Sequence, residues 1–240
     1  DDNDDDLMGV LLQGPESPSL TEGALALSDL VNRLVQTPPG ALDADMIQLL
    51  RNSMAEYAAM KDAETVERLL FRMLEEYKAL SKMKRRVALA TTPSDADFQL
   101  AMGTWKEAPD TTNMANNMAA LFAEQQAMYC EAAVEQCKPS MATVKLVMST
   151  LTYSRERGSD RRVYGMLEKL TTWGLSADSE IMGYVILALA KSKQHGAAER
   201  AQQMLKEAVE TYELIPPMEA FNAILVSWAK SGLEDGPERA

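Results

Sequence analysis

The sequence predicts an all-α protein, a right-handed superhelix (α-solenoid) built from helix-turn-helix hairpins. The first indication is an internal repeat: Ala-Lys-Ser at 190–192 recurs 39 residues later at 229–231, and Glu-Arg-Ala at 199–201 recurs at 238–240. A fixed period of roughly 20 to 50 residues is typical of stacked repeats. The second indication is composition. The 240 residues include only 12 Gly and 10 Pro, and this scarcity of helix breakers favours helix along the whole chain.

The formal net charge of -12 is concentrated at the start of the chain. Residues 1–45 contain ten acidic side chains and a single basic one, Arg33, which gives a net charge of -9. The remaining residues therefore contain 26 acidic and 23 basic side chains, a net charge of only -3. Because the acidity belongs mostly to an N-terminal tail, it indicates little about the surface of the repeats.

The first 41 residues lie outside the repeats. Residues 1–16 form an acidic tail that we expect to be disordered, because its five leading carboxylates repel one another and bury nothing. A cap helix is predicted within 17–41, where Ser17-Pro18 supplies an N-cap and a first-turn proline and a Pro-Pro-Gly linker at 38–40 ends the helix. This helix is expected to cover the open end of the solenoid, where an uncapped repeat would expose its apolar face.

Five helical hairpins are predicted after the cap helix. Each begins at a Pro or Asp suited to a helix N-terminus, and its apolar residues recur at intervals of three and four. The second helix of hairpin 2 is predicted to run from about residue 110 to residue 136. A basic run at 82–86 is expected either to complement a helix C-terminus or to contact phosphate. The hairpins occupy 42–92 (with this basic linker), 93–138, 139–176, 177–215 and, truncated, 216–240.

Catalysis and cofactor binding have little support in the sequence. There is no Gly-rich phosphate loop, no metal-ligand spacing and no His beside a nucleophile, and the one histidine is His195. Cys130 and Cys137 are expected to share a helix face as reduced, packed thiols. No apolar run approaches the roughly 20 residues of a membrane helix. We therefore expect no enzyme activity, cofactor, small-molecule substrate or membrane insertion, and leave open a catalytic domain beyond residue 240.

From residue 139 to residue 240 the chain resembles the pentatricopeptide repeat (PPR) family. The resemblance is carried by Phe-Asn-Ala-Ile-Leu at 221–225, Trp-Ala-Lys-Ser-Gly at 228–232 and Pro-Glu-Arg-Ala at 237–240. Trp-Gly-Leu-Ser-Ala-Asp at 173–178 is similar to the end of a family unit. Before residue 139 the resemblance to the family has two supports. One is the hairpin pattern, and the other is the spacing of Phe98, Met102 and Trp105, which recurs at 221, 225 and 228. The tetratricopeptide (TPR) repeat, with about 34 residues per unit, fits less well.

The resemblance implies binding of single-stranded RNA in a mitochondrion or plastid, one base per repeat, in RNA processing, stability or translation. In the family, a residue in the first helix of a unit and a residue at the junction to the next unit together read a base. The first-helix candidates are Gln48, Gln99, Lys145, Gly183 and Asn222, and the junction candidates are Ser94, Ser140, Asp178 and Pro217. Of the first-helix candidates, only Asn222 is a standard reader.

Basic residues recur where the two helices of a hairpin meet, and the repeat period would carry them to one edge of the superhelix. Such a stripe would follow an RNA phosphate backbone. Glu180 and Glu219 argue against RNA, because an unpaired carboxylate facing RNA is desolvated and repelled by phosphate. The alternative function is a protein-interaction scaffold or a subunit of a large organellar assembly. The phosphate candidates are Arg155, Arg157, Arg161, Arg162, Lys191, Lys193 and Lys230.

Overall fold

A computed structural model describes residues 20–83, 91–109, 113–154, 156–192 and 194–231, with backbone only for 20–25. These residues form ten α-helices and no strand, so the prediction of an all-α protein is confirmed for the part of the chain that they cover. The acidic tail, Ser17-Pro18, the last three residues of the 82–86 run, Arg155, Lys193 and the final Glu-Arg-Ala lie outside the described residues. The helices are α1 Leu20–Gln36, α2 Ala44–Ala59, α3 Ala63–Lys82, α4 Asp95–Glu107, α5 Met114–Cys130, α6 Met141–Tyr153, α7 Ser159–Lys169, α8 Ser179–Lys191, α9 Ala197–Glu210 and α10 Met218–Ala229.

Local side-chain chemistry explains where several helices begin. The carboxylate of Asp43 accepts a hydrogen bond from the backbone N–H of Met46, at 2.8 Å, and starts α2. Asp62 starts α3 in the same way. Ser94 and Asp97 form a capping box at α4, in which each side chain bonds the other residue's backbone N–H. These caps satisfy N–H groups that the first turn of a helix leaves without a partner.

Helices pack in the order of the chain. Each even-numbered helix contacts the next even-numbered helix, from α2 through α4, α6 and α8 to α10. Each of α3, α5, α7 and α9 packs against the even-numbered helices before and after it, and α1 packs on α2 and α3. The described chain is therefore a linear array of hairpins, α2–α3, α4–α5, α6–α7 and α8–α9, with α10 opening the next unit.

Side-chain bonds connect one hairpin to the next along the even-numbered row. Arg51 on α2 lies 3.1 Å from the carboxylate of Asp97 on α4. Asp95 at the start of α4 accepts hydrogen bonds from the Thr143 hydroxyl at 2.7 Å and from the Ser140 backbone N–H at 3.2 Å. Each of these bonds spans 45 to 48 residues of sequence. Because a hydrogen bond fixes direction as well as distance, they set how each hairpin meets its neighbour.

The linker between α1 and α2 is locked onto α3 by a buried ion pair. Arg72 and Glu76, whose side chains are 2% and 0% exposed, lie 3.2 Å apart one helical turn from each other. Glu76 also accepts the backbone N–H groups of Gly40 and Leu42, at 2.8 and 3.1 Å. Arg72 donates to the backbone carbonyl of Thr37 at 2.8 Å. Nε and Nη1 of the buried Arg72 have no hydrogen-bond partner among the described residues, whereas its Nη2 atom and both oxygens of Glu76 are bonded. The pair therefore fixes the linker that joins α1 to α2.

The prediction of a long second helix in hairpin 2 is wrong. α5 ends at Cys130, and a separate 3₁₀ turn at Glu135–Cys137 follows. Ala133 adopts the left-handed conformation, with φ of 53°, between the two elements. Cys130 and Cys137 therefore do not share a helix: both are free thiols, Cys130 exposed and Cys137 buried. A left-handed alanine gives no glycine or proline signal, so the sequence did not indicate this helix end.

The apolar spacing shared by α4 and α10 has different outcomes in the two helices. In α4, Phe98, Met102 and Trp105 are all buried, as are most core positions of the flanking helices. In α10, Trp228 is buried whereas Leu225 is 43% exposed. Among the described helices, α8 and α9 pack on α10 most extensively, and α6 reaches it through the hydrogen bond between Tyr153 and Glu219, so part of α10 faces no described neighbour. No described helix is both long and apolar enough to cross a membrane.

Candidate functional site

The four junction candidates occupy the N-cap positions of the even-numbered helices. Ser94, Ser140 and Asp178 each accept a hydrogen bond from the backbone N–H three residues further along, at 3.4, 3.3 and 2.9 Å. Pro217 caps α10 without a side-chain hydrogen bond. Three of the four side chains are therefore engaged in starting their own helix. A capping oxygen retains lone pairs for a ligand, but its orientation is set by the helix.

Lys145 and Asp178, a first-helix candidate and the next junction candidate, lie together in the structure. The Lys145 ammonium is 2.6 Å from Asp178 and 2.7 Å from Glu180, forming a three-membered ion cluster. The hydrogen bond to Asp178 is the main cause of the raised pKa of Lys145. Burial favours the neutral form of Asp178, but the hydrogen bond from Lys145 leaves its pKa lowered. This pair satisfies itself, which leaves little hydrogen-bonding capacity for a base.

Gly183 and Pro217, the next such pair, pack directly against each other. A Cβ atom placed on Gly183 would lie 2.7 Å from Cδ of Pro217 and 3.1 Å from its Cγ. Such distances are well inside van der Waals contact, so only glycine fits here without a shift of α10. The pair offers no side-chain hydrogen bond to a ligand, and its contact fastens α10 to α8.

The three remaining first-helix candidates have different surroundings. Gln48 is exposed and donates to Asn52 on the next turn of α2, at 3.0 Å. Gln99 is half-buried and lines an alanine-rich groove between α2 and α4. Asn222 is exposed on α10 and lines the groove between α10 and α8. No hydrogen bond of the Asn222 amide is seen among the described residues.

The α8–α10 groove brings Asn222 together with two of the phosphate candidates, Lys191 and Lys230. Its volume is about 940 Å³, and it runs along one face of α10 and past the turn that precedes α9. The Lys191 ammonium lies 4.2 Å from the ring centroid of Tyr153, a cation–π contact. The Tyr153 hydroxyl donates to Glu219, at 2.8 Å. Neither lysine has an ion-pair partner within the described part of the chain.

Acidic side chains also line this groove. Glu219, held by Tyr153, lies near the start of α10, whereas Lys230 follows the last residue of that helix. Glu199 lies in the first turn of α9, where a carboxylate complements the helix dipole. His195 lies in the turn between α8 and α9, and other residues of this turn also line the groove. Lys230 and Glu219 thus lie toward opposite ends of α10, about 16 Å apart at 1.5 Å per residue.

The turns within successive hairpins lie side by side. The Ser192 hydroxyl, just after α8, donates to Asp160 in the first turn of α7, at 2.9 Å. Ser154 and Ser159, on either side of the α6–α7 turn, are hydrogen-bonded to each other at 2.8 Å. Arg157 is exposed on that turn. The hydrogen bond between Ser192 and Asp160 places the α6–α7 turn beside the α8–α9 turn.

Arg161 and Arg162 line a different groove from the two lysines. This groove lies between α5 and α7, with a volume of about 520 Å³. Arg162 donates to the side-chain oxygen of Asn116 on α5, at 3.1 Å. The predicted basic stripe is therefore divided: Lys191 and Lys230 face the α8–α10 groove, and the two arginines face the α5–α7 groove.

Sequence reasoning missed Tyr153 and Lys169 as neighbours of these grooves. Tyr153 is the last residue of α6 and contacts Lys191 and Glu219 across 38 and 66 residues of sequence. An aromatic residue just before a basic turn was the available signal for Tyr153. Lys169 lies in the last turn of α7, where a cation complements the helix dipole. Because that role alone accounts for a lysine at this position, the sequence did not indicate that Lys169 also lines the α5–α7 groove.

Among the described residues, no group of three or more His, Cys, Asp or Glu side chains is placed to hold a metal ion. The free thiols of Cys130 and Cys137 lie at the end of α5 and in the buried 3₁₀ turn. Comparison with protein-family models, with curated proteins and with solved structures gave no match.

Proposed function

We propose that this chain is a non-catalytic, PPR-like right-handed solenoid that binds single-stranded RNA through the α8–α10 groove. The order of packing supports the solenoid, because each hairpin contacts the hairpins before and after it in the chain. The family resemblance then supports an organellar role, in a mitochondrion or a plastid.

The observation that carries the proposal is the meeting of Lys191, Lys230 and Asn222 in one groove, with the Tyr153 ring beside them. Single-stranded nucleic acid is bound by cations that contact phosphates and by aromatic rings on which bases stack. Tyr153 is 53% exposed, so part of its ring is accessible. An amide such as Asn222 supplies both a donor and an acceptor for a base edge. The groove thus offers contacts to phosphates and to a base edge, and the adjacent Tyr153 ring offers a surface for stacking.

Binding by this groove should depend weakly on sequence. Lys145 is paired with two carboxylates, and Gly183 is covered by Pro217, so two of the predicted base-reading positions are occupied within the protein. Phosphate contacts contribute affinity without distinguishing bases. We therefore expect different RNA sequences to bind with similar affinity.

The test is a titration of the chain with two unrelated single-stranded oligonucleotides at several salt concentrations. For single strands, the slope of log affinity against log salt is about -0.7 per phosphate neutralised. Replacing Lys191 and Lys230 together by Gln should flatten that slope by up to about 1.4 and should weaken both oligonucleotides equally. Lys206→Gln is the matched control, because Lys206 is an exposed lysine on α9 that does not line this groove. Its slope should equal that of the original chain.

A protein-binding scaffold is the second candidate, favoured by the carboxylates on the even-numbered helices. Glu219 is exposed there and bonded to the hydroxyl of Tyr153, and carboxylates repel RNA phosphates. Glu180 is also exposed, but its charge is offset in part by Lys145, at 2.7 Å. The same titration separates the two candidates. If the folded chain fails to bind RNA at low salt, or if the slope is unaffected by the lysine replacements, the scaffold is preferred.

A further inference from the structure

The groove between α5 and α7 combines an apolar floor with a basic rim. Three cations line it, two of them at the start of α7 and the third at its end, and none of the described residues that line it is a carboxylate. Its volume is about 520 Å³. The apolar side chains are Ala119, Ala120, Phe122, Val147, Leu151 and Met166, and the cations are Arg161, Arg162 and Lys169.

The cations of this groove are bonded mainly to neutral groups. Arg162 donates to the amide oxygen of Asn116 at 3.1 Å, and Lys169 donates to that of Gln126 at 3.4 Å. Arg162 also lies 3.8 Å from the carboxylate of Glu156, which is outside the groove lining. A neutral amide orients a cation without cancelling its charge. The rim therefore keeps a net positive charge that an acidic ligand would neutralise.

The start of this chain has the complementary composition. Residues 1–6 contain five Asp, and residues 7–12 read Leu-Met-Gly-Val-Leu-Leu. Carboxylates on the rim would pair with the cations, and the apolar side chains that follow would cover the apolar floor. We propose that residues 1–12 bind in the α5–α7 groove of their own chain.

The connecting segment is long enough for this arrangement. Residues 13–19 separate the proposed ligand from α1, and seven extended residues span at most about 25 Å. α1 packs on α3, the Lys78–Glu124 ion pair joins α3 to α5, and Arg162 joins α7 to α5. With roughly 10 Å between neighbouring helices, the groove beyond α5 lies about 25 Å from α1, so the segment reaches it only when it is almost fully extended.

The basic residues then serve two ligands, the chain's own residues 1–12 in the α5–α7 groove and RNA in the α8–α10 groove. If the carboxylates occupy Arg161 and Arg162, those arginines are neutralised within the protein, and Lys191 and Lys230 remain the cations available to phosphate. The two proposals use different grooves and different variants. Failure of one therefore leaves the other unaffected.

The test is disulfide trapping in the full chain. Cys130→Ser removes the exposed thiol, and Met8→Cys places a thiol in the apolar part of the segment. Ala120→Cys then places its partner in the α5–α7 groove. The matched control replaces Ala96, an exposed alanine in the alanine-rich α2–α4 groove, whose described lining has one carboxylate, Glu107, and no cation. A disulfide requires Cα atoms within about 7 Å of each other, so it forms where the segment resides.

We expect an intramolecular disulfide under mild oxidation to form several-fold faster with Ala120→Cys than with Ala96→Cys. Adding Arg161→Gln and Arg162→Gln should slow the Ala120→Cys reaction toward the control rate, as should high salt. Mass spectrometry of the non-reduced peptides identifies the linked pair. The proposal is overturned if the disulfide forms at equal rates at the two positions, or if the arginine replacements leave the Ala120→Cys rate unchanged. It is also overturned if the disulfide links only separate chains.

Discussion

Substitution of Gly183 tests whether the α8–α10 contact is as tight as the structure shows. Gly183→Ala adds a methyl group 2.7 Å from Cδ of Pro217, a ring atom that cannot rotate away. Alanine gains about 1 kcal/mol over glycine inside a helix, whereas overpacking a tight contact costs about 1–3 kcal/mol. The net effect is a loss of about 0–2 kcal/mol in the free energy of unfolding.

Gly103→Ala is the matched control for this measurement. Gly103 lies within α4, and a Cβ there meets nothing within 4 Å. That variant should be stabilised by up to about 1 kcal/mol, so the two variants should differ by about 1–3 kcal/mol. Urea unfolding followed by far-UV circular dichroism measures both. In a Pro217→Ala background the methyl group has room, and Gly183→Ala should become stabilising. If Gly183→Ala already stabilises the original chain, then Pro217 does not pack against Gly183 as closely as described.

Two further predictions concern titrating groups. The pKa values of Asp178 and Glu180 are lowered in the folded chain, so their pairing with Lys145 stabilises it fully above about pH 5 and is lost as the pH falls through the folded pKa values. Lys145→Gln should therefore reduce the acid-induced fall in the urea midpoint, and an unchanged pH profile would contradict the ion cluster. Burial, with two nearby carboxylates, raises the pKa of Cys137 to about 12, so iodoacetamide at mildly alkaline pH should alkylate Cys130 and spare Cys137 until urea is added. Peptide mass spectrometry measures both sites, and similar native rates would show Cys137 to be accessible.

The parts of the fold that depend on local chemistry were predictable from the sequence. Caps such as Asp62 and Ser94 act within one helical turn, so a short stretch of sequence is enough to identify them. The end of α5 was not predictable in this way, because the left-handed residue there is Ala133. The exposure of Leu225 was also missed, since burial depends on which helices pack around α10 as well as on spacing.

The candidate site was predictable only in part, for a similar reason. The repeat period identified Lys191 and Lys230 as equivalent positions, and the structure places both in one groove. The period could not show that Tyr153 would contact Lys191, because that contact depends on how α6 and α8 cross. From the sequence we could infer only that Gly183 has no side chain with which to read a base. The structure shows a packing reason for glycine, the Pro217 ring.

The buried ion pair on α3 holds the α1–α2 linker through the linker's backbone. Glu76 binds two amide N–H groups and Arg72 binds carbonyl oxygens, so none of these bonds depends on which side chains the linker carries. Substitutions at positions 37, 38, 39 and 41 can therefore leave the lock intact, provided that the backbone keeps its path. Gly40, with φ of 91°, and the buried Leu42 are exceptions. An inserted or deleted residue would instead shift these backbone groups out of register and leave the buried carboxylate without its amide partners. The constraint on this linker is on its length and conformation more than on its composition.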